Sequence, residues 1–214
     1  MNEPVPKFIL VVTGNSVDDA FFDRLRQHTR TLKGTSLTHR VLPEQSDPGS
    51  PRPPEPPAPV IVEWFAAAPP NRADWARALQ LDEERLEWYD VSESLRWQRP
   101  GVGHGPAAGI SHICRVGRAT GLTMEQFEQH WTQVHRPLAQ KHHLGMALYV
   151  QNVVRRTLST NGQGIDGIAE LGFPSVEAFT TEMYDSEEGR AAISADVAKF
   201  VGAASCGLYQ LVPG

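Results

Sequence analysis

The sequence predicts an α+β chain built from two similar halves, and three observations point to it. The first is a helical stripe that recurs: with Phe21 aligned on Phe127, an offset of 106 residues, Leu25 falls on Trp131, Gln27 on Gln133, Arg30 on Arg136 and Leu32 on Leu138. The second is a strand, Val60 to Phe65, whose Glu63 matches Glu170 at an offset of 107. The third is a pair of helices that end alike. One carries Trp75, Leu79 and Asp82-Glu83-Glu84, and the other carries Phe179, Met183 and Ser186-Glu187-Glu188. Internal repetition decides architecture before any single residue does.

The elements follow in order. The apolar run Phe8 to Val12 reads as a strand and leads into a helix from about Val17 to Leu32. Pro43 to Pro59 then holds eight of the 17 prolines, which disfavours regular structure and predicts a semi-extended loop. After the strand Val60–Phe65 and its helix, Asp90 to Trp97 closes the first half. Arg99 to Ala108, with Gly101, Gly103 and Gly105, reads as a linker. In the second half, Ile110 to Cys114 alternates as a strand. A helix then opens on Thr123 as N-cap, with Gln126 at the capping-box position. Phe127, Trp131, Val134 and Leu138 form its apolar stripe, and Pro137 is expected to bend or end it. The final strand is Ala204 to Leu211.

At 214 residues the chain can bury a real core. A formal charge of −5 and no clustered basic face argue against nucleic acid. The run Phe8–Val12 is too short to span a bilayer or to serve as a signal core. Cys114 and Cys206 give neither a disulfide framework nor a zinc spacing, so the cytoplasm is the simplest address. No metal site is read: a His-x-x-x-His with a nearby acid is missing. Walker, G-x-G-x-x-G and G-x-S-x-G motifs are missing too, and no cofactor is implied.

The second half resembles the EthD family. The resemblance rests on Phe127, Trp131, then His135-Arg136-Pro137-Leu138, then Tyr149-Val150-Gln151-Asn152, then Asp166 to Phe173, and finally Ser175 to Phe179. It covers about residues 107–214. It implies a ferredoxin-like βαββαβ unit of the dimeric α+β barrel type, among small cofactor-free lyases, isomerases and catabolic proteins. With a diverged repeat at 1–98 and the EthD-like repeat at 107–214, the two sheets would face each other within one chain. Each sheet would hide one face under its own helices and the other under its partner. A further homodimer is compatible with this. The first half has Thr29 and Thr31 where the second has His135 and Pro137, so the chemistry is expected in the second half.

His135 is the foremost candidate, a titratable ring beside a packed stripe; the competing expectation is a helix-end histidine capping carbonyls that Pro137 frees. Glu170 lies mid-strand, where a buried carboxyl must pair or stay protonated; Glu63 repeats it, which suggests a role in the fold. Its alternative is a rim glutamate paired with Arg115 or Arg155. Tyr149 could orient a substrate, and Asn152 faces the opposite side of the strand. Trp131, Phe127 and Phe173 would wall the pocket. His112 shares a face with Ile110 and Cys114, as pocket floor or as a core histidine. His130, His142 and His143 are expected in solvent. The expected activity is a cofactor-free lyase or isomerase working on a small aromatic or polyketide-like compound. The alternatives are a cofactor-independent oxygenase on the same fold and a non-catalytic small-molecule-binding accessory protein.

Overall fold

The structure is a computed structural model. It describes residues 5–15, 17–42, 58–100 and 109–212. Most of the proline-rich loop and of the expected linker therefore lies outside the described residues. In the first half, β1 (Lys7–Val12), α1 (Asp19–Thr31), β2 (Thr35–Val41), β3 (Val60–Phe65), α2 (Arg72–Leu79) and β4 (Leu86–Gln98) follow one another. The second half repeats that order. It consists of β5 (Ile110–Arg118), α3 (Met124–Gln129), a π-helical turn (His130–His135), α4 (Arg136–His142), β6 (Leu148–Thr157), β7 (Gly167–Phe173), α5 (Val176–Glu182), α6 (Glu187–Phe200) and β8 (Val201–Leu211). Each half is a βαββαβ unit.

The strands close into one antiparallel barrel in the order β1-β3-β2-β8-β5-β7-β6-β4. The chain is thus an intrachain dimeric α+β barrel. Two seams join the halves: β4 pairs with β6 from the other half, and β8 pairs with β2. The seams differ. Nine register pairs link β4 to β6, whereas three link β2 to β8 among the described residues. Closure leaves no open sheet edge, which an isolated four-stranded half would expose.

Alternation along each strand divides the core into three layers. Phe8, Leu10, Val62, Trp64, Trp75 and Trp88 belong to the layer under α1 and α2. Phe127, Trp131, Tyr149, Leu171, Phe173 and Phe179 belong to the layer under α3 to α6. Ile9, Val11, Ile61, Tyr89, Ile113, Val154, Ile168 and Tyr209 fill the barrel interior.

Three sequence expectations change. Of the two outcomes expected at Pro137, a bend or an end, the helix does not end: it continues through a π-helical turn in which the Arg136 amide reaches back five residues to the Trp131 carbonyl. Where the first half has only a 3-10 turn at Glu83–Arg85, the second half grows a full helix, α6. Cys114 and Cys206, directly opposed on β5 and β8, are joined as a disulfide. Their pairing removes the cysteine argument for a reducing compartment. Among the described residues no helix is long and apolar enough to cross a membrane.

Candidate functional site

The sheets place the predicted residues on two opposite faces. On the helix-covered face of the second half lie His135, Tyr149, Trp131, Phe127, Phe173 and His112. Inside the barrel lie Glu170 and Asn152. Tyr149 registers with Leu171, whereas Glu170 registers with Val150 one residue on, so Tyr149 and Glu170 point to opposite sides of the same sheet. His135 and Glu170 consequently do not meet in one pocket. The period-two pleat of β7 separates them.

The outer group is organised by α6. Ser186 caps that helix by accepting the Gly189 amide, and the helix brings Asp196 against the π turn. His135 Nδ1 donates to Asp196 Oδ2 at 3.1 Å, and His130 Nε2 donates to Asp196 Oδ1 at 3.0 Å. Both rings lie on Phe200. Burial lowers the His135 pKa below its ordinary value, against the pull of Asp196. Burial would raise Asp196, but the two imidazole hydrogen bonds more than offset it, and its pKa falls. The result is a neutral histidine whose Nδ1–H is fixed by a carboxylate. The lone pair is left on Nε2, which has no partner among the described residues. The capping reading of His135 is therefore replaced by an aspartate that the sequence pattern did not single out.

Under the π turn, Trp131 Nε1 donates to the Tyr149 hydroxyl at 3.2 Å, and Gln151 Nε2 donates to the same oxygen at 2.9 Å and to the Trp131 carbonyl at 3.0 Å. Burial pushes the Tyr149 pKa up to about 12 despite these donors. Phe127, Trp131 and Phe173 pack against one another and against Phe179 and Phe200 as closed core. His112 packs on Phe179. His130, His142 and His143 are not in solvent: His142 pairs with Asp185 at 3.0 Å, and His143 donates to the Met183 carbonyl at 2.7 Å.

The barrel interior holds a second polar group. Glu63 lies between the Lys7 ammonium and His39, whose Nε2 donates to Glu63 Oε1 at 3.0 Å. Ser111 donates to Glu170 at 2.7 Å. The registers make these residues equivalent in pairs: Glu63 with Glu170, Lys7 with Ser111, and His39 with Asn152. Burial would raise Glu63, but His39 and Lys7 bring it down to about 2. Glu170 is raised, first by burial and then by the Glu63 charge. Burial would lower His39, but its hydrogen bond to Glu63 and the two carboxyl charges outweigh that, and its pKa rises. Two equivalent carboxyls are thus shifted in opposite directions. Neither Arg115 nor Arg155 pairs with Glu170; they bind Glu87 and Glu128.

His39, Glu63 and Glu170 bring ligand atoms within 4.8 Å of one another, a spacing that would suit a metal. Lys7 lies against both Glu63 and Glu93, and Arg96 pairs with Glu93 and lies 4.0 Å from Glu63, so these carboxylates have cationic partners among the described residues. His112, Cys114 and Cys206 also converge, but the sulfurs are joined to each other and offer no thiolate.

The family described as EthD domain matches residues 119–204, the stretch that contains the π turn, Tyr149, β7 and Asp196. Over that stretch the second half is similar to the EthD domain. An anthrone oxidase-like protein shares the fold of the whole chain at a TM-score of 0.62 and 11% identity, covering 99% of this chain and 92% of that one. A putative monooxygenase from Lactobacillus acidophilus NCFM matches at a TM-score of 0.56 and 7% identity, over 98% and 94% of the two chains. A putative chlorite dismutase matches at 0.54 and 12%, over 98% and 95%. At such identities these likenesses establish the fold, a barrel that all three share with this chain. Among curated proteins none matches the chain.

Proposed function

We propose that this chain is an enzyme that takes a proton from a small, largely apolar aromatic or polyketide-like molecule, with His135 as the general base. The observation that carries the reading is the Asp196–His135 contact. A carboxylate on Nδ1 holds the tautomer and orientation in which Nε2 accepts a proton, and it stabilises the imidazolium that forms. The lowered pKa keeps the ring neutral, and so basic, at neutral pH. Tyr149, on the same side of the sheet, is the group that would hold or protonate the substrate oxygen. Its oxygen already accepts two hydrogen bonds, which leaves its own proton to offer. Tyr149 is fully buried and His135 nearly so, so admitting a substrate to both requires the helices over the sheet to part. Glu170 has no part in this step, since it faces the barrel interior.

The carbanion formed has two fates. Reprotonation or loss of a leaving group makes the chain an isomerase or lyase, the reading that the EthD half favours. Reaction with oxygen makes it a cofactor-independent oxygenase, a reading supported by the end-to-end likeness to an anthrone oxidase-like protein. In that case an anthrone methylene becomes a carbonyl, and O2 takes four electrons, with one oxygen atom ending in the carbonyl and the other in water. Oxygen uptake with an anthrone, recorded beside product formation under nitrogen, separates the two. Uptake stoichiometric with product supports the oxygenase, and product formed without oxygen supports the lyase or isomerase. If His135→Gln turns over as fast as the parent, His135 is not the base.

A further inference from the structure

The two seams differ in the register pairing described for them. At the β4–β6 seam, Leu95 to Gln98 of β4 cover the start of β6, from Leu148 to Gln151. At the equivalent β2–β8 seam, described register pairing ends at His39 with Leu211, followed by one hydrogen bond from the Val212 amide to the Thr38 carbonyl. A cavity of about 370 Å³ lies there, beneath α1. That volume is in the range of small-molecule sites. Phe22, Leu25, Leu37, Leu211 and Val212 make its apolar body, and Thr29, Ser36 and Thr38 line it with hydroxyls. Arg26 and Arg30 stand at its wall on α1.

The charges around it do not balance. Arg26 is paired with Asp23 at 2.6 Å. Arg40, whose guanidinium lies over the Phe22 ring at 5.0 Å, is paired with Asp19 at 3.1 Å. Arg30 has no acidic partner among the described residues. Among the described residues three arginines thus face two aspartates, and the cation left over borders the cavity. An apolar body with one convergent cation and a few hydroxyls selects a ligand that is apolar with one anionic end.

We propose that this seam cavity binds a small amphipathic carboxylate, with its hydrocarbon part against Phe22, Leu25 and Leu37 and its carboxylate on Arg30. Thr29, which lines the cavity, occupies the position that aligned with His135 in the repeat. The first half thereby offers binding without a base at that position, and its site is separate from the EthD half's proton-transfer group.

The test is calorimetric titration of the full chain with 2-naphthoate and, separately, with its uncharged analogue 2-naphthol. The parent is expected to bind naphthoate at least tenfold more tightly than naphthol. Arg30→Gln should abolish that preference, and Ser36→Trp, which fills the cavity, should abolish binding of both. His135→Ala should leave naphthoate affinity unchanged, so this proposal can fail while the catalytic reading stands, and the reverse. Equal affinity for the two probes, an Arg30→Gln variant that keeps the parent's preference, or loss of binding in His135→Ala alone would each overturn it. Circular dichroism of each variant establishes that the fold is retained.

Discussion

Glu63 and Glu170 show how little a residue's identity says about its state. They occupy equivalent positions in the two halves and face the same interior, yet one is held ionised and the other is pushed toward its protonated form. The difference comes from their partners, Lys7 and His39 for one and Ser111 for the other. Lys7 keeps a second carboxylate, Glu93 at 2.9 Å, so Glu63→Gln removes one of the ammonium's two anionic partners and the carboxylate on His39, and it is expected to cost about 1.5–3 kcal/mol in urea denaturation at pH 7. The pH dependence has opposite signs at the two sites. Glu63, depressed to about 2, contributes stability above its unfolded value of 4.5 that is lost as pH falls from about 5 toward 2. Glu170, raised, contributes below pH 4.5 and loses that contribution as pH rises through its folded pKa. Glu170→Gln should accordingly be neutral or stabilising near pH 8. The strand pattern made the burial and raised pKa of Glu170 legible, and Glu63 as its repeat. Their partners are set by register across four strands, which no local pattern records.

Among the elements, the π turn and α6 belong together. The turn accommodates Pro137 and keeps both Trp131 and His135 buried, and α6 supplies the carboxylate that holds His135. Asp196→Asn keeps the shape but weakens the hold on the ring, so turnover is expected to fall at least 100-fold with a smaller loss of thermal stability. Because burial lowers the His135 pKa, the acid limb of the rate profile should lie below pH 6.5 in the parent. Without the opposing pull of the Asp196 charge, it should move lower still in the variant. A rate profile from pH 4 to 9 checks both. The capping box at Thr123 and strands such as β1, β3 and β5 could be read from periodicity and cap residues, the βαββαβ order followed from the EthD resemblance, and β2 was not read. α6 was hidden because the matching stretch in the first half is a single 3-10 turn. Its own signals were Ser186 as N-cap and Ile193, Val197 and Phe200 at helical spacing.

For the whole molecule, fusing the two halves lets them diverge. Among the described residues one seam is longer than the other, the second half has the His-x-Pro pair, and a cavity lies beneath α1 of the first. The Cys114–Cys206 bond ties β5 to β8, the strand that forms the short seam with β2. Reduction is expected to lower stability by about 2–4 kcal/mol, read as a fall in Tm between oxidised and reduced protein. It should leave the barrel closed, because the β5–β8 ladder runs on both sides of the cysteines. The closed barrel was legible once the repeat was recognised, since each sheet had one face to cover. The inequality of the seams was not, because it depends on the lengths of strands paired across halves. The same separation of faces explains why His135 and Glu170 do not share a pocket. Residue type and position marked both for chemistry, and only the strand parity of β7 shows that they look away from each other.

Removal of a carbon-bound proton by His135 is tested most directly by exchange of that proton, whatever the later fate of the carbanion. An anthrone would be incubated in D2O under nitrogen with parent, His135→Gln and Asp196→Asn proteins, and loss of the methylene signal followed by NMR. The parent is expected to accelerate exchange over the buffer rate, His135→Gln to return it to that rate, and Asp196→Asn to fall between. Exchange that proceeds equally in parent and His135→Gln would contradict the assignment of His135 as the base.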